Sequence, residues 1–217
     1  MSDFDDEEYE SFDLDGPGPD ARSRTAPPVA PVAVDARVVD TDDDEDDDED
    51  GDDDDLEDAA DDEIDFVLAA YREEGQLLVQ AMDNDLANDL EELIAQLRRL
   101  PGDAGALGFV SLVEEVFVLV RVRGQHVQVL LNDAAAAADW PIAHDVADFL
   151  DEDVPDPDDD SEPMGDLGIV ADLGMSDFDM GALIEDLDLG SDQMLVEIAD
   201  KITLNPQFRR GAVAAGS

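Results

Sequence analysis

The residues with the greatest capacity for chemistry in this chain are carboxylates, and the stretch DDDEDGDDDDLE at 46–57 sets some of them at calcium-loop spacing. Asp46, Asp48, Asp50, Gly51 and Glu57 fit a twelve-residue loop in which alternate oxygens and a terminal Glu surround a hard cation. A working loop of that kind lies between two amphipathic helices and carries an apolar residue at its eighth position. Here that position is Asp53, and neither VDTDDDED before it nor DLEDAADDE after it offers a helix. In a run this acidic the pattern is met almost automatically, so the segment reads as a solvated tract that attracts cations loosely. No metal site is assigned to it.

The other reactive side chains form no set. His126 opens an expected strand and His144 sits on an expected helix, and the chain has no cysteine to complete a zinc site, form a disulfide or act as nucleophile. Ser111 lies in FVSLV, which lacks the glycines of a nucleophile elbow. The 62 acidic residues could supply an acid/base pair, but nearness of two among so many carries no weight without a pocket. The residues point to no catalytic constellation and to no cofactor.

What must position any site is set by composition. The formal net charge is −51 over 217 residues, from 62 Asp and Glu against 11 Lys and Arg, which disfavours direct contact with nucleic acid or an anionic membrane. Residues 1–62 carry 28 acids and 3 bases, 63–150 carry 16 and 5, and 151–217 carry 18 and 3. That concentration at one end argues against uniform adaptation to salt. The start MSDFDDEEYE has neither a basic nor an apolar targeting region, and no run reaches the ~18 apolar residues of a membrane span, so a cytoplasmic location is expected.

Residues 1–62 join a Pro/Ala/Val stretch to the acidic tract without a sustained period of 2 or 3.6, and are expected to form a disordered acidic tail. From Ile64 the texture changes. IDFVLAAY and QLLVQAM read as strands joined by a turn at Gly75, and DLANDLEELIAQLRRL places Leu86, Leu90, Leu93, Ile94 and Leu97 on one helical face before Pro101. ALGFVSLV, VFVLVRVR and HVQVLLND follow as antiparallel strands with short connections. In the middle one, Val118, Val120 and Val122 alternate with Leu119, Arg121 and Arg123, so the face bearing Arg121 and Arg123 is expected to meet solvent or a partner. AAAAADWPIAHDVADFL reads as a helix with a kink or fresh start at Pro141.

These elements predict an α+β domain over 63–150, with a five-stranded antiparallel sheet in the order ββαβββα. An acidic linker at 151–165 and a C-terminal helical segment at 166–217 come after it. Ser176 and Ser191 are the expected N-caps of two short helices, the first using Met180, Leu183, Ile184 and Leu187, the second Met194, Leu195, Ile198 and Ile202. Such a pair is too small to fold alone and should dock on the preceding domain or on a partner. Within GDLGIVADLG the repeated triplets Asp166-Leu167-Gly168 and Asp172-Leu173-Gly174 supply turn glycines and are also a candidate interaction segment. Trp140, beside Pro141, reads first as a packing anchor and second as a contact for a partner. The echo of MSDFD at 1–5 and 175–179 is what an Asp-rich chain produces by chance.

Taken together, AAYREEG, LRRLPGDAGALGFVSL, DWPIA and the DLG segment resemble the actinobacterial family called tRNA adenosine deaminase-associated proteins, over residues 64 to about 204. None of these is a catalytic motif. The resemblance implies a link to the enzyme that deaminates the wobble adenosine of a tRNA, and no chemistry of its own. This chain is not that enzyme, which needs a zinc set of the type H-x-E with P-C-x-x-C, whereas Val127-Gln128 follow His126 and Asp145-Val146 follow His144. The strand order also resembles, more loosely, Roadblock-type interaction modules, although a usual first helix is missing. The leading expectation is a non-catalytic accessory protein whose partner is the tRNA deaminase, with the acidic tail competing with tRNA for a basic surface on it. The alternatives are a self-associating Roadblock-like scaffold forming a homodimer, and an enzyme of unrecognised type using carboxylates in a cleft.

Overall fold

The computed structural model describes residues 56–101, 105–155 and 162–215. The calcium-like spacing at 46–55 and almost all of the expected tail therefore lie outside the described residues. One antiparallel sheet organises the rest, in the order β2-β1-β3-β4-β5-β6. Its strands are β1 (Ile64–Glu73), β2 (Gln76–Ala81), β3 (Ala106–Leu112), β4 (Val116–Arg123), β5 (His126–Leu131) and β6 (Met164–Gly165). The first hairpin closes through Glu74 and Gly75, whose φ angles of 49° and 81° are those of a two-residue turn matched to strand twist.

The sheet has six strands where five were expected. Met164 and Gly165 pair with Leu131 and Leu130 and extend the edge beside β5. Two residues in an acidic, proline-bearing stretch carry no alternation, so no sequence period marks them. Gly165 has φ 102°, and a Cβ there would stand 2.4 Å from the Val129 carbonyl oxygen, so the pairing depends on glycine.

Both faces of the sheet are covered. Val67, Ala69, Val110, Val118, Val120 and Leu131 point to α1 (Leu90–Arg99) and α2 (Pro141–Leu150), which bury Leu93, Leu97, Ile142 and Val146 against them. Phe66, Leu68, Phe109, Phe117, Leu119 and Leu130 point the other way, to α3 (Asp177–Ile184), α4 (Ser191–Lys201) and α5 (Gln207–Ala215). β3 is consequently buried along its whole length and β4 everywhere except Arg123. The C-terminal segment completes the core of the sheet it follows.

Several boundaries shift for local reasons. The helix expected from Leu86 divides into a 3₁₀ turn at Asn84–Asn88 and α1, because Asp89 is extended and its carboxylate accepts the Glu92 N–H at 2.8 Å, capping a new helix. The expected helix over 134–150 likewise breaks into a 3₁₀ turn at Ala134–Ala138 and α2, with Pro141 at the first turn. Ser176 caps α3 as expected, accepting from the Asp179 N–H. Ser191 does not cap α4. Gly190 takes the cap position, and Ser191 is buried with its hydroxyl 2.8 Å from that of Ser111. Leu187, expected on the apolar face of α3, lies beyond its end and is 94% exposed. A third helix, α5, was not foreseen, and its Phe208 packs edge-on to Phe66 and Phe109 at ring distances of 5.7 and 4.9 Å.

Candidate functional site: a cationic groove at one end of the sheet

Alternation along β4 sends its valines to α1 and α2 and sends Phe117, Leu119 and Arg121 to the C-terminal layer. That face is covered by the chain itself. Arg121, expected at solvent or a partner, is 6% exposed. Its guanidinium donates to the Ile169 carbonyl oxygen at 2.6 Å and to both carboxylate oxygens of Asp172, the bond to Oδ2 at 2.8 Å. A buried guanidinium needs such partners, because an unpaired charge out of water is costly.

The same polar seam takes in most of the residues singled out from the sequence. Arg123 donates to Gln128 Oε1 at 2.8 Å and lies 3.7 Å from Asp172 Oδ2. Gln128 in turn donates to Asp166, whose other oxygen accepts the Gly168 N–H at 2.8 Å. Leu167, Ile169 and Val170 pack into the apolar layer behind, and Gly174 turns the chain at φ 116°. The two DLG triplets are thus bolted onto β4 and β5 by Arg121, Arg123 and Gln128. Asp172 and Leu173 remain exposed at the surface of that seam.

Trp140 is not part of it. It precedes α2, half-buried against the core on the opposite face. His126 is exposed, His144 Nδ1 lies 3.2 Å from the Ala137 carbonyl oxygen, and the Ser111 hydroxyl donates to Asp65 Oδ2 at 2.8 Å.

Beside the seam opens a groove of about 380 Å³. Its floor is Ala70, Leu107, Ile202 and Leu204, and its rim is Arg72, Leu77, Arg121, Arg123, Asp172 and Leu173. The hollow has a sequence cause. Across the sheet Ala70 pairs with both Val79 and Leu107, and Leu107 pairs with Arg121, so the small Ala70 side chain leaves one row shallow. In the next row, continuing the β1–β3 and β3–β4 registers by one residue sets Gly105 between Arg72 and Arg123. Gly105 has φ 79°, and a Cβ there would fall 2.1 Å from the Val122 carbonyl oxygen. Sequence reasoning missed Arg72, Leu77 and Gly105. The pairing of Arg72 with Leu77 across a recognisable hairpin was the available signal for two of them.

The groove's electrostatics suit binding better than proton transfer. Asp172 is its single lining carboxylate among the described residues, and the hydrogen bond from Arg121 holds its pKa below the usual carboxylate range, with the Arg121 and Arg123 charges adding and burial opposing. It stays ionised and paired near neutral pH. A second cleft, of about 520 Å³, gathers Asp89, Glu91, Asp145 and Asp148 between α1 and α2. Burial raises the pKa of Asp145, against the lowering effect of the Leu90 N–H that its carboxylate accepts at 2.9 Å, so this acid acts as a cap for α1. No carboxylate among the described residues is fully buried, and none of them group with histidines into a set of three or more that could hold a metal ion. No helix among the described residues is long and apolar enough to cross a membrane.

Fold and site define a small mixed α/β protein: among the described residues, one six-stranded antiparallel sheet between helical layers, with an open, cation-rimmed groove. The chain belongs to the family of Rv3753c-like tRNA adenosine deaminase-associated proteins, whose model matches residues 65–205. It is similar to protein Rv3753c of Mycobacterium tuberculosis (strain ATCC 25618 / H37Rv), at 35% identity over 154 residues covering 69% of this chain and 88% of that one. No solved structure matches the chain.

Proposed function

We propose that this chain is a non-catalytic accessory protein that binds the tRNA wobble-adenosine deaminase, presenting the groove between Arg72 and Arg123 with Asp172 and Leu173 on its rim. The observation that carries the reading is the coincidence of the family match, 65–205, with the span from β1 to the end of the turn after α4. That span bears the groove. Arg121, Asp166, Leu167, Gly168 and Gly174 then act by holding the rim in place, and Trp140 by anchoring α2 on the other face. The acidic segment 1–62 competes with tRNA for basic surface on the partner.

Co-expression of the full chain with the deaminase of the same organism, followed by affinity capture at ~150 mM salt, tests this. Recovery of a stoichiometric complex supports it. Absence of a complex by capture and by light scattering at micromolar concentration refutes it.

A second reading, self-association as a scaffold, is favoured by one feature. β2 is an edge strand whose residues QLLVQA carry no charge, proline or bulge to discourage pairing with another strand. Light scattering of the chain alone separates the two, since this reading requires a dimer without the deaminase.

A further inference from the structure

We infer that the groove is a receptor for an extended acidic segment of a protein partner, in which one apolar side chain is flanked by carboxylates two residues to either side. The inference rests on the accessory-protein reading and names the chemistry of the surface that the partner must offer.

Charge points to the sign of the occupant. Outside residues 1–62 the chain has eight basic residues, and three of them, Arg72, Arg121 and Arg123, line this groove, with Asp172 as the single acid among the described residues that line it. Asp172 is hydrogen-bonded by Arg121 and lies within ion-pair distance of Arg123. Arg72 and Arg123 are both exposed; Arg72 donates to the Gly75 carbonyl oxygen at 3.2 Å, and Arg123 donates to Gln128 while its other terminal nitrogen lies 3.7 Å from Asp172 Oδ2. A guanidinium carries five N–H donors, so both arginines keep donors to offer a carboxylate that enters the groove they line.

Geometry points to the spacing. Arg72 on β1 and Arg123 on β4 are separated by β3, hence by two strand spacings, about 10 Å. Between them Gly105 leaves a gap over an apolar floor of Leu107, Ile202 and Leu204. Residues i, i+2 and i+4 of an extended peptide share one face over roughly 13 Å, a span that two long arginine arms accommodate. The central side chain of such a peptide enters the gap while the outer two meet the guanidinium groups.

Nucleic acid is the less suited occupant. It would bring a charge at every phosphate toward a chain of net charge −51, whereas a short acidic peptide brings two, and charges beyond ~8 Å are largely screened at physiological salt.

The test titrates the full-length ¹⁵N-labelled chain with a synthetic peptide, Ser-Asp-Ser-Leu-Ser-Asp-Ser, and follows amide shifts. Shifts confined to the groove around Arg72, Leu77, Gly105 and Leu173 are expected. Replacing both Asp by Asn, or the Leu by Ser, should weaken binding severalfold. The double variant Arg72→Gln/Arg123→Gln should weaken it on the order of tenfold, since each exposed ion pair is modest. Arg98→Gln/Arg99→Gln, which removes the same charge from α1 in the opposite layer, should leave it unchanged, with circular dichroism confirming the fold of each variant. Equal binding of the Asn peptide, equal loss in both arginine pairs, or larger groove shifts with a single-stranded oligoribonucleotide overturns the inference. Capture of the deaminase separates the two claims. If Arg72→Gln/Arg123→Gln still captures it fully, the groove assignment fails and the accessory reading stands. If the peptide binds and the deaminase is never captured, the accessory reading fails instead.

Discussion

Asp172→Ala probes the seam on which the candidate site depends. Arg121 has a side chain only 7% exposed, whereas Asp172 is 55% exposed, so the pair sits at the mouth of the groove with one partner dry and one wet. A hydrogen bond to a charged group is worth about 1.5–3 kcal/mol when well shielded, and an exposed pair about 0–1 kcal/mol. With the bond from Arg121 to Ile169 retained, the expected cost is about 1–2 kcal/mol. In a unit of this size that is a fall in Tm of roughly 2–8 °C. The pH dependence follows from the depressed pKa of Asp172. A carboxyl with a lower pKa folded than unfolded contributes its stability above the ordinary carboxylate range and loses it as pH falls through the folded value. The difference between wild type and Asp172→Ala in urea unfolding should therefore be full at pH 7 and shrink as pH falls below the ordinary carboxylate range. Using the difference removes the large common effect of titrating 62 acids. In a chain this negative, loss of an acid also relieves repulsion, so Glu185→Ala, which removes an exposed acid at the end of α3, should be neutral or stabilising. A cost for Asp172→Ala below about 0.3 kcal/mol, or one that does not shrink at all as the carboxylates are titrated, would refute the reasoning that the pair is what fixes the DLG segment.

Three further outcomes follow from the packing. Asp145→Asn should gain on wild type as pH rises from 3 to 6 in urea titrations, because burial raises the Asp145 pKa and a raised carboxyl pKa means stability lost as pH climbs through it, while the amide oxygen still accepts the Leu90 N–H. Gly105→Ala should cost at least about 2 kcal/mol and move amides of Val122 and Arg123, since it combines a positive φ with a clash against a backbone carbonyl. Phe208→Ala should cost about 3–5 kcal/mol and expose dye-binding apolar surface over β1 and β3, because that fully buried ring is what α5 inserts into the core.

Much of the architecture follows from local pattern. The alternation in VFVLVRVR, the helical face of Leu90, Leu93, Ile94 and Leu97, the turn at Gly75 and the cap at Ser176 are consequences of side-chain direction and backbone hydrogen bonding within a few residues, so the sequence alone determines them. It also determines the absence of cysteine chemistry and the family to which residues 65–205 belong.

Other features arise only when distant segments meet. Period-2 alternation says that Arg121 shares a face with Leu119, but not what covers that face. A charge beside apolar residues reads as an exposed face unless a partner for it is known, and Asp172 lies 51 residues away. β6 is two residues long and α5 has little beyond Phe208 to mark its buried side, so neither carries a period of its own. The groove is a more extreme case, since it consists of what is missing from Ala70 and Gly105 once three strands are in register. A sequence records which side chains are present at each position. The space between them, and the charge left unspent around it, is decided only by the tertiary fold.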